Sequence, residues 1–284
     1  MKILVLGVSG MLGNTVFRYF SEDGRYQVSG SARTGGVRRS FPQSLAEKIL
    51  VGVDVENQDS LALLFSKVKP DVVINCIGLI KQLAEANDPL QAIPINALLP
   101  HRLARLCEIA GARLVHVSTD CVFSGAQGNY KELDISDAKD LYGRSKYLGE
   151  VDYPHTITLR TSIIGHELHS ANGLVGWFLA QQGTVKGYTK AIFSGLPTVE
   201  LAHIIRDVVL PRSELSGLYH VASQPISKFD LLELVAGIYK KEIEITPDAQ
   251  FSIDRSLNAD KFRAASGYIA PTWPELVKKM SDFK

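Results

Sequence analysis

Residues Lys2–Phe20, KILVLGVSGMLGNTVFRYF, decide the architecture. Lys2–Leu6 is a short apolar run of the kind that forms a strand buried on both faces. Gly7, Gly10 and Gly13 follow, and from Met11 onward Val16, Phe17 and Phe20 recur at helical spacing. A strand, a glycine turn and a helix start in direct succession bring bare backbone and the positive end of a helix dipole to one point. That point suits an anion such as a pyrophosphate. The glycines are spaced three then three, rather than the two then three of the commonest dinucleotide turn. Ordinary strand-to-helix turns also carry glycine triplets, but the position directly after a buried-type strand is the context an anion site needs.

Working outward, further strands are predicted at Tyr26–Ser31, Ile49–Val53 (ending at Asp54), Asp71–Cys76 (closing on Gly78), Arg113–Val117 and Thr156–Leu159. Helical spacing runs over Ser60–Val68 and over Pro89–Ala110, with Asn96 on its inner run and Gly111 as its stop. Strands alternating with helices predict an α/β, Rossmann-type doubly wound parallel sheet with ligands at the carboxyl ends of its strands. Those ends carry polar residues: Asp54, then Cys76, then Ser118 with Thr119, then Arg160, Thr161 and Ser162.

Beyond residue 162 the pattern loosens. Gly173–Gln182, Val199–Val209 and Lys228–Tyr239 read as helices and Gly217–Val221 as a returning strand. Phe251–Leu257 leads to a last helix near Pro274–Met280. The expected organisation is a cofactor domain over 1–162, to which 198–224 crosses back, and a smaller C-terminal α/β substrate lobe, mainly 163–284. Trp177 and Phe178 read as core of that lobe, with stacking against a nucleotide base as the lesser reading.

The chemistry-bearing pair is Tyr142 and Lys146. If Asp140–Asp152 is helical, they project from one face, and an ammonium beside a phenol favours the phenolate. Such a Tyr can exchange a proton with a substrate oxygen at neutral pH.

Composition narrows the classes. Against 31 basic residues stand 30 acidic ones, so no net field draws the chain to nucleic acid or to an anionic membrane. No apolar run approaches the ~20 residues of a membrane helix. The immediate N-terminal strand leads us to expect no signal peptide and a cytoplasmic location. Three cysteines and seven histidines without ligand spacing predict neither a disulfide framework nor a metal site.

Together these strings resemble the extended short-chain dehydrogenase/reductase superfamily, and within it the sugar-nucleotide reductases similar to dTDP-4-dehydrorhamnose reductase. The resemblance runs almost end to end. Gly7, Gly10, Met11, Leu12 and Gly13 resemble the cofactor turn, and Asp54 with Val55 the adenine-contacting pair. Ser118–Thr119–Asp120 before Val122–Phe123 is similar to the STDxVF signature, and Tyr142 and Lys146 in YGRSKYLGE match the catalytic pair. Leu159–Ser162, Gly195–Thr198, Leu218–Ala222 and Arg255–Asn258 echo later landmarks.

The resemblance implies NADPH lying across the strand ends, in contact also with Cys76, Ile77, Gly78, Ser118, Tyr142 and Lys146. It implies hydride transfer to the 4-keto carbon of a deoxysugar carried on a nucleoside diphosphate. Tyr142 would donate the proton, and Thr119 (or Ser118) would hydrogen-bond the oxygen. Lys146 would lower the Tyr142 pKa and hold the nicotinamide ribose, and Asn96 would sustain a water path. Thr119, Cys121, Phe123 and Arg255 would touch substrate. A homodimer is left open.

Three departures bear on the substrate. Cys121 stands where these reductases carry Tyr, Ile163–Gly165 replaces an aromatic-containing stretch, and Leu79–Asn87 differs from the reductase pattern. Three rivals remain. A 4,6-dehydratase needs an Asp-Glu pair after the Thr, and Asp120 is followed here by Cys121. An NAD-retaining epimerase shares the Tyr and Lys, and the end of the second strand distinguishes it. Gln27–Ala32 carries no acid for a ribose 2′-OH, and Arg33 follows at once to meet a 2′-phosphate, which points to NADP(H) over NAD. A cofactor-binding regulatory subunit, like that of methionine adenosyltransferase, is the rival from outside enzymology.

Overall fold

The computed structural model describes residues 1–284. Its strands are β1 (Lys2–Leu6), β2 (Gln27–Ala32), β3 (Ile49–Val51), β4 (Val72–Asn75), β5 (Arg113–Thr119), β6 (Thr156–Thr161), β7 (Ile163–Ile164), β8 (Thr184–Phe193), β9 (Leu196–Pro197), β10 (Gly217–His220), β11 (Ile226–Ser227) and β12 (Glu244–Asp254). The helices are α1 (Met11–Ser21), α2 (Gln43–Ala46), α3 (Gln58–Val68), α4 (Pro89–Ala92), α5 (Leu99–Ala110), α6 (Leu141–Leu148), α7 (Leu174–Ala180), α8 (Thr198–His203), α9 (Lys228–Tyr239), α10 (Asp260–Ser266) and α11 (Trp273–Asp282).

Seven strands form one sheet in the order β10-β6-β5-β4-β1-β2-β3, and every pairing in it is parallel. Chain order reverses between β1 and β4, which opens a crevice at their carboxyl ends. The sheet is covered on both faces, as a parallel sheet must be. Ile3 and Val5 enter a 40-residue apolar cluster, whereas Leu4 and Leu6 enter a 13-residue cluster on the other face. That explains why the opening run is apolar without alternation. The α/β reading of the sequence therefore holds, with a second, smaller sheet of order β11-β8-β12.

Several boundaries differ from expectation. β5 runs on to Thr119 and β6 to Thr161, so Ser118 and Thr119 are strand residues in register with Arg160 and Thr161. The third strand stops at Val51, short of Asp54. Residues 89–110 form one continuous rod of α4, a π-helical segment at Ile93–Leu98 and α5, ended by Gly111 at φ +65°. The widened π turn accommodates Pro94 and turns Asn96 inward to full burial. The small sheet was not read from the sequence. β12 contains Pro247 and is mostly exposed, and the pair β8–β12 is broken by an irregularity between Asp248 and Ser252. β8 alternates exposed and buried residues along its length, but β12 shows no such alternation.

Candidate active site

A cavity of about 880 Å³ opens at the carboxyl ends of β1, β4, β5 and β6, and β8, β12 and the start of α9 close its far side. Gly10, Met11 and Leu12 form its floor at the head of α1. That helix begins with no side-chain cap at Gly10 and no acid in its first turn, so its leading N–H groups face the cavity uncontested. Gly7 holds φ +81°, and a Cβ at Gly13 would collide with the Gly7 carbonyl. The turn can close only with glycine at these two positions, and the result is a cradle shaped for a pyrophosphate. A second groove of about 520 Å³ lies at the amino end of the sheet, around Lys2, Lys48 and Lys67, away from this polar convergence.

The reactive side chains enter from β5 and α6. Asp140 caps α6, its Oδ1 accepting from the Gly143 N–H at 2.8 Å, while Lys81 reaches its other oxygen at 2.7 Å. Tyr142 and Lys146 then emerge on the cavity side. The helix can sit this close because Gly143 packs on the Cys121 carbonyl and Gly149 on the Asn96 carbonyl, where any Cβ would clash. Lys146 is 5% exposed and its Nζ donates to the Val117 carbonyl at 2.9 Å. Burial pulls its pKa from 10.5 to about 8, and the Glu150 charge resists that fall.

The expected lowering of the Tyr142 pKa is corrected. Burial pushes the phenol above its ordinary value, Cys121 adds to the rise, and the Thr119 hydroxyl that faces it only partly offsets this. The ammonium is turned to a backbone carbonyl rather than to the phenol. Tyr142 thus rests as a phenol, the form a proton donor requires.

The cavity gathers many of the residues singled out from sequence: Gly10, Met11, Leu12, Cys76, Ile77, Gly78, Ser118, Thr119, Cys121, Tyr142, Lys146 and Arg255. Gly7 and Gly13 shape the floor from beneath. Arg33 is exposed just past β2, and Asp54 and Val55 lie beyond β3, outside the cavity wall, with Asp54 Oδ1 accepting from the Glu56 N–H. Asn96 is buried behind the wall. Its Oδ1 accepts from Leu79 N–H at 2.9 Å and its Nδ2 donates to Ser145 Oγ at 3.3 Å, so it clasps the turn after β4 to α6. Ser118 donates its hydroxyl to Glu150 at 2.7 Å, which leaves Thr119 as the hydroxyl facing Tyr142.

Phe123 is a correction. It is fully buried, stacked on Tyr130 at 4.1 Å beneath the site, and cannot touch a substrate. Trp177 is another, since it lines the cavity at 38% exposure while Phe178 alone is core. Sequence reasoning missed Lys186, Tyr188, Lys228 and Phe251, all on the far wall. Lys186 and Tyr188 lie on β8 and Phe251 on β12, two strands that had not been recognised, whereas Lys228 opens a helix whose start gave no sign of facing the site. Asp120 is buried, and burial raises its pKa against the opposing charges of Arg255 and Lys228. Cys121 is pushed up to about 12 by burial, so its thiol is unreactive at neutral pH.

The family model described as the RmlD substrate binding domain matches residues 1–282. The dTDP-4-dehydrorhamnose reductase of Salmonella typhimurium is 28% identical over 254 residues, covering 80% of this chain and 84% of that protein. The methionine adenosyltransferase 2 subunit beta of Bos taurus is 27% identical over 149 residues, covering 52% of this chain and 41% of that protein. Among solved structures, a dTDP-4-dehydrorhamnose reductase of Bacillus anthracis in complex with NADP superposes with a TM-score of 0.80. It covers 100% of this chain and 98% of its own at 20% identity, a likeness that shows the fold.

Proposed function

The chain belongs to the RmlD substrate binding domain family, and from that membership we propose that it is an NADPH-dependent reductase of a 4-keto deoxysugar linked to a nucleoside diphosphate. The observation that carries the reading is convergence. Thr119, Tyr142 and Lys146 face one cavity whose floor is the glycine turn, so a proton donor and an anion cradle share one space. Gly10, Met11 and Leu12 would hold the pyrophosphate, and Lys146 the nicotinamide ribose. Arg33, exposed after a strand with no acid at its end, would meet a 2′-phosphate, which favours NADPH over NADH. Residues 1–162 together with 198–224 would carry the cofactor, and the remainder most of the substrate contacts.

The bound dinucleotide supplies the hydride. Tyr142, already protonated, hands its proton to the oxygen on which negative charge develops, and Thr119 Oγ1 hydrogen-bonds the same oxygen. Lys146, still an ammonium below about pH 8 and bonded to the Val117 carbonyl, adds positive charge to the cavity in which the phenolate is left. On the far wall, Arg255 and Lys228 lie near Asp120 and Cys121 and offer positive charge to the diphosphate-bearing substrate. The test is NADPH oxidation against a panel of nucleoside-diphosphate-linked 4-keto sugars. Turnover of at least one is expected. Binding of cofactor with no turnover would favour a regulatory subunit, and interconversion of 4-epimers with tightly held NAD would favour an epimerase.

A further inference from the structure

Glu150 follows the end of α6, four residues past Lys146 as Lys146 is four past Tyr142. Its carboxylate is largely withdrawn from solvent and fully engaged. Oε1 accepts from Ser118 Oγ at 2.7 Å and from Arg160 Nε at 2.9 Å, and Oε2 accepts from Arg160 Nη2 at 2.5 Å. Arg160 is itself buried, with its guanidinium 5.0 Å from the centre of the Phe123 ring and its Nη1 donating to His220 Nε2 at 2.9 Å. His220 Nδ1 donates in turn to the Tyr130 carbonyl at 3.0 Å. Five elements or loops are thereby tied to a single carboxylate at the foot of the helix that carries Tyr142 and Lys146. A buried ion pair contributes little to stability relative to well-packed apolar residues, so this placement calls for a reason other than stability.

We propose that Glu150 is a positioning residue whose negative charge, fixed in place by Arg160 and Ser118, keeps Lys146 an ammonium in a site that would otherwise neutralise it. The proposal rests on the catalytic reading of Lys146 given above. The groups around Lys146 supply no other anion. From β5, the Val117 carbonyl accepts from Nζ, and His116 faces the lysine as a neutral ring, held well below its ordinary pKa by burial. From the turn after β4 comes Gly78, and from the π turn the amide of Asn96, neither of them charged. Tyr142 rests as a phenol. Lys146 Nζ sits on the Val117 carbonyl and Glu150 on the hydroxyl of the adjacent Ser118, so the two charges are held against neighbouring residues of β5, where burial and Glu150 act on Lys146 in opposite directions.

The experiment titrates Lys146 directly by NMR in cofactor-free protein carrying 13C at the lysine ε position, with the resonance assigned by its loss in Lys146→Met. Glu150→Gln should move the Lys146 midpoint down by about one pH unit. It should also lower thermal stability, because Arg160 is left buried without its partner. The double variant Glu150→Gln/Arg160→Gln should recover much of that stability while keeping the lowered midpoint. An unmoved midpoint in the single variant, or a midpoint restored in the double, would overturn the proposal and leave the pair purely structural. The titration needs no substrate, so its failure is distinct from failure of the reductase reading, which turnover alone reports. In active enzyme the alkaline limb of kcat should shift downward in parallel with the midpoint.

Discussion

Replacing Lys146 by Met should make the cofactor-free protein more stable at neutral pH while abolishing its activity. Folding carries this lysine from a pKa of 10.5 to about 8. At ~1.4 kcal/mol per pH unit, that displacement is a penalty of roughly 3 kcal/mol on burying the ammonium. Methionine fills a similar volume without charge, but it leaves the Val117 carbonyl without its donor, at about 1 kcal/mol. The net expectation is a gain of about 2 kcal/mol at pH 7. The sign of the pH dependence follows from which state holds the proton. Below pH 8 both native and unfolded lysine are charged and the full penalty stands. Between pH 8 and 10.5 the unfolded chain binds more protons than the native one, so wild-type stability rises with pH. By pH 9.5 about 2 kcal/mol of the penalty is relieved, and the advantage of the variant should be close to zero. Urea unfolding of both proteins at pH 7 and 9.5, at one ionic strength, measures this. A difference that does not change with pH, or a variant less stable at pH 7, would refute the argument.

Tyr142→Phe removes one hydroxyl and should lower reduction by about 10²-fold or more with NADPH affinity retained; near wild-type turnover would remove Tyr142 as the donor. Gly10→Val should fold, since nothing but the Gly7 carbonyl comes within van der Waals contact of a Cβ there, yet lose NADPH affinity as measured by fluorescence titration. Gly13→Val should instead fail to fold, as circular dichroism would report, because its Cβ meets the Gly7 backbone. Arg33→Ala should lose the preference for NADPH over NADH, and equal affinities in the wild type would discard the 2′-phosphate assignment.

The sheet was legible in the sequence because buried parallel strands leave a local trace: unbroken apolar runs closed by glycine or a polar residue. The helix that presents Tyr142 and Lys146 was legible for the same kind of reason, being set by short-range spacing. What the residues could not reveal depends on long-range burial. The Tyr142 pKa rises rather than falls because desolvation outweighs a lysine whose ammonium is drawn off by Val117. Phe123 sits in a signature next to catalytic residues, but strand geometry turns it inward against Tyr130. The far wall escaped notice because β8 and β12 are joined across some sixty residues of chain and pair imperfectly. Their pattern has meaning only once the two strands are side by side.

The close approach of α6 to its surroundings also changes how mutational data on this protein would have to be interpreted. Gly143 and Gly149 do not line the cavity, yet each occupies a gap only as wide as a hydrogen atom allows. Substituting either would tilt or lift the helix and displace Tyr142 and Lys146 together. A saturation screen scored on turnover would therefore rank both glycines beside the proton donor, as though they took part in the reaction. The same screen scored on abundance would separate the two groups: glycine substitutions would deplete the protein, whereas Tyr142→Phe would leave its level unchanged.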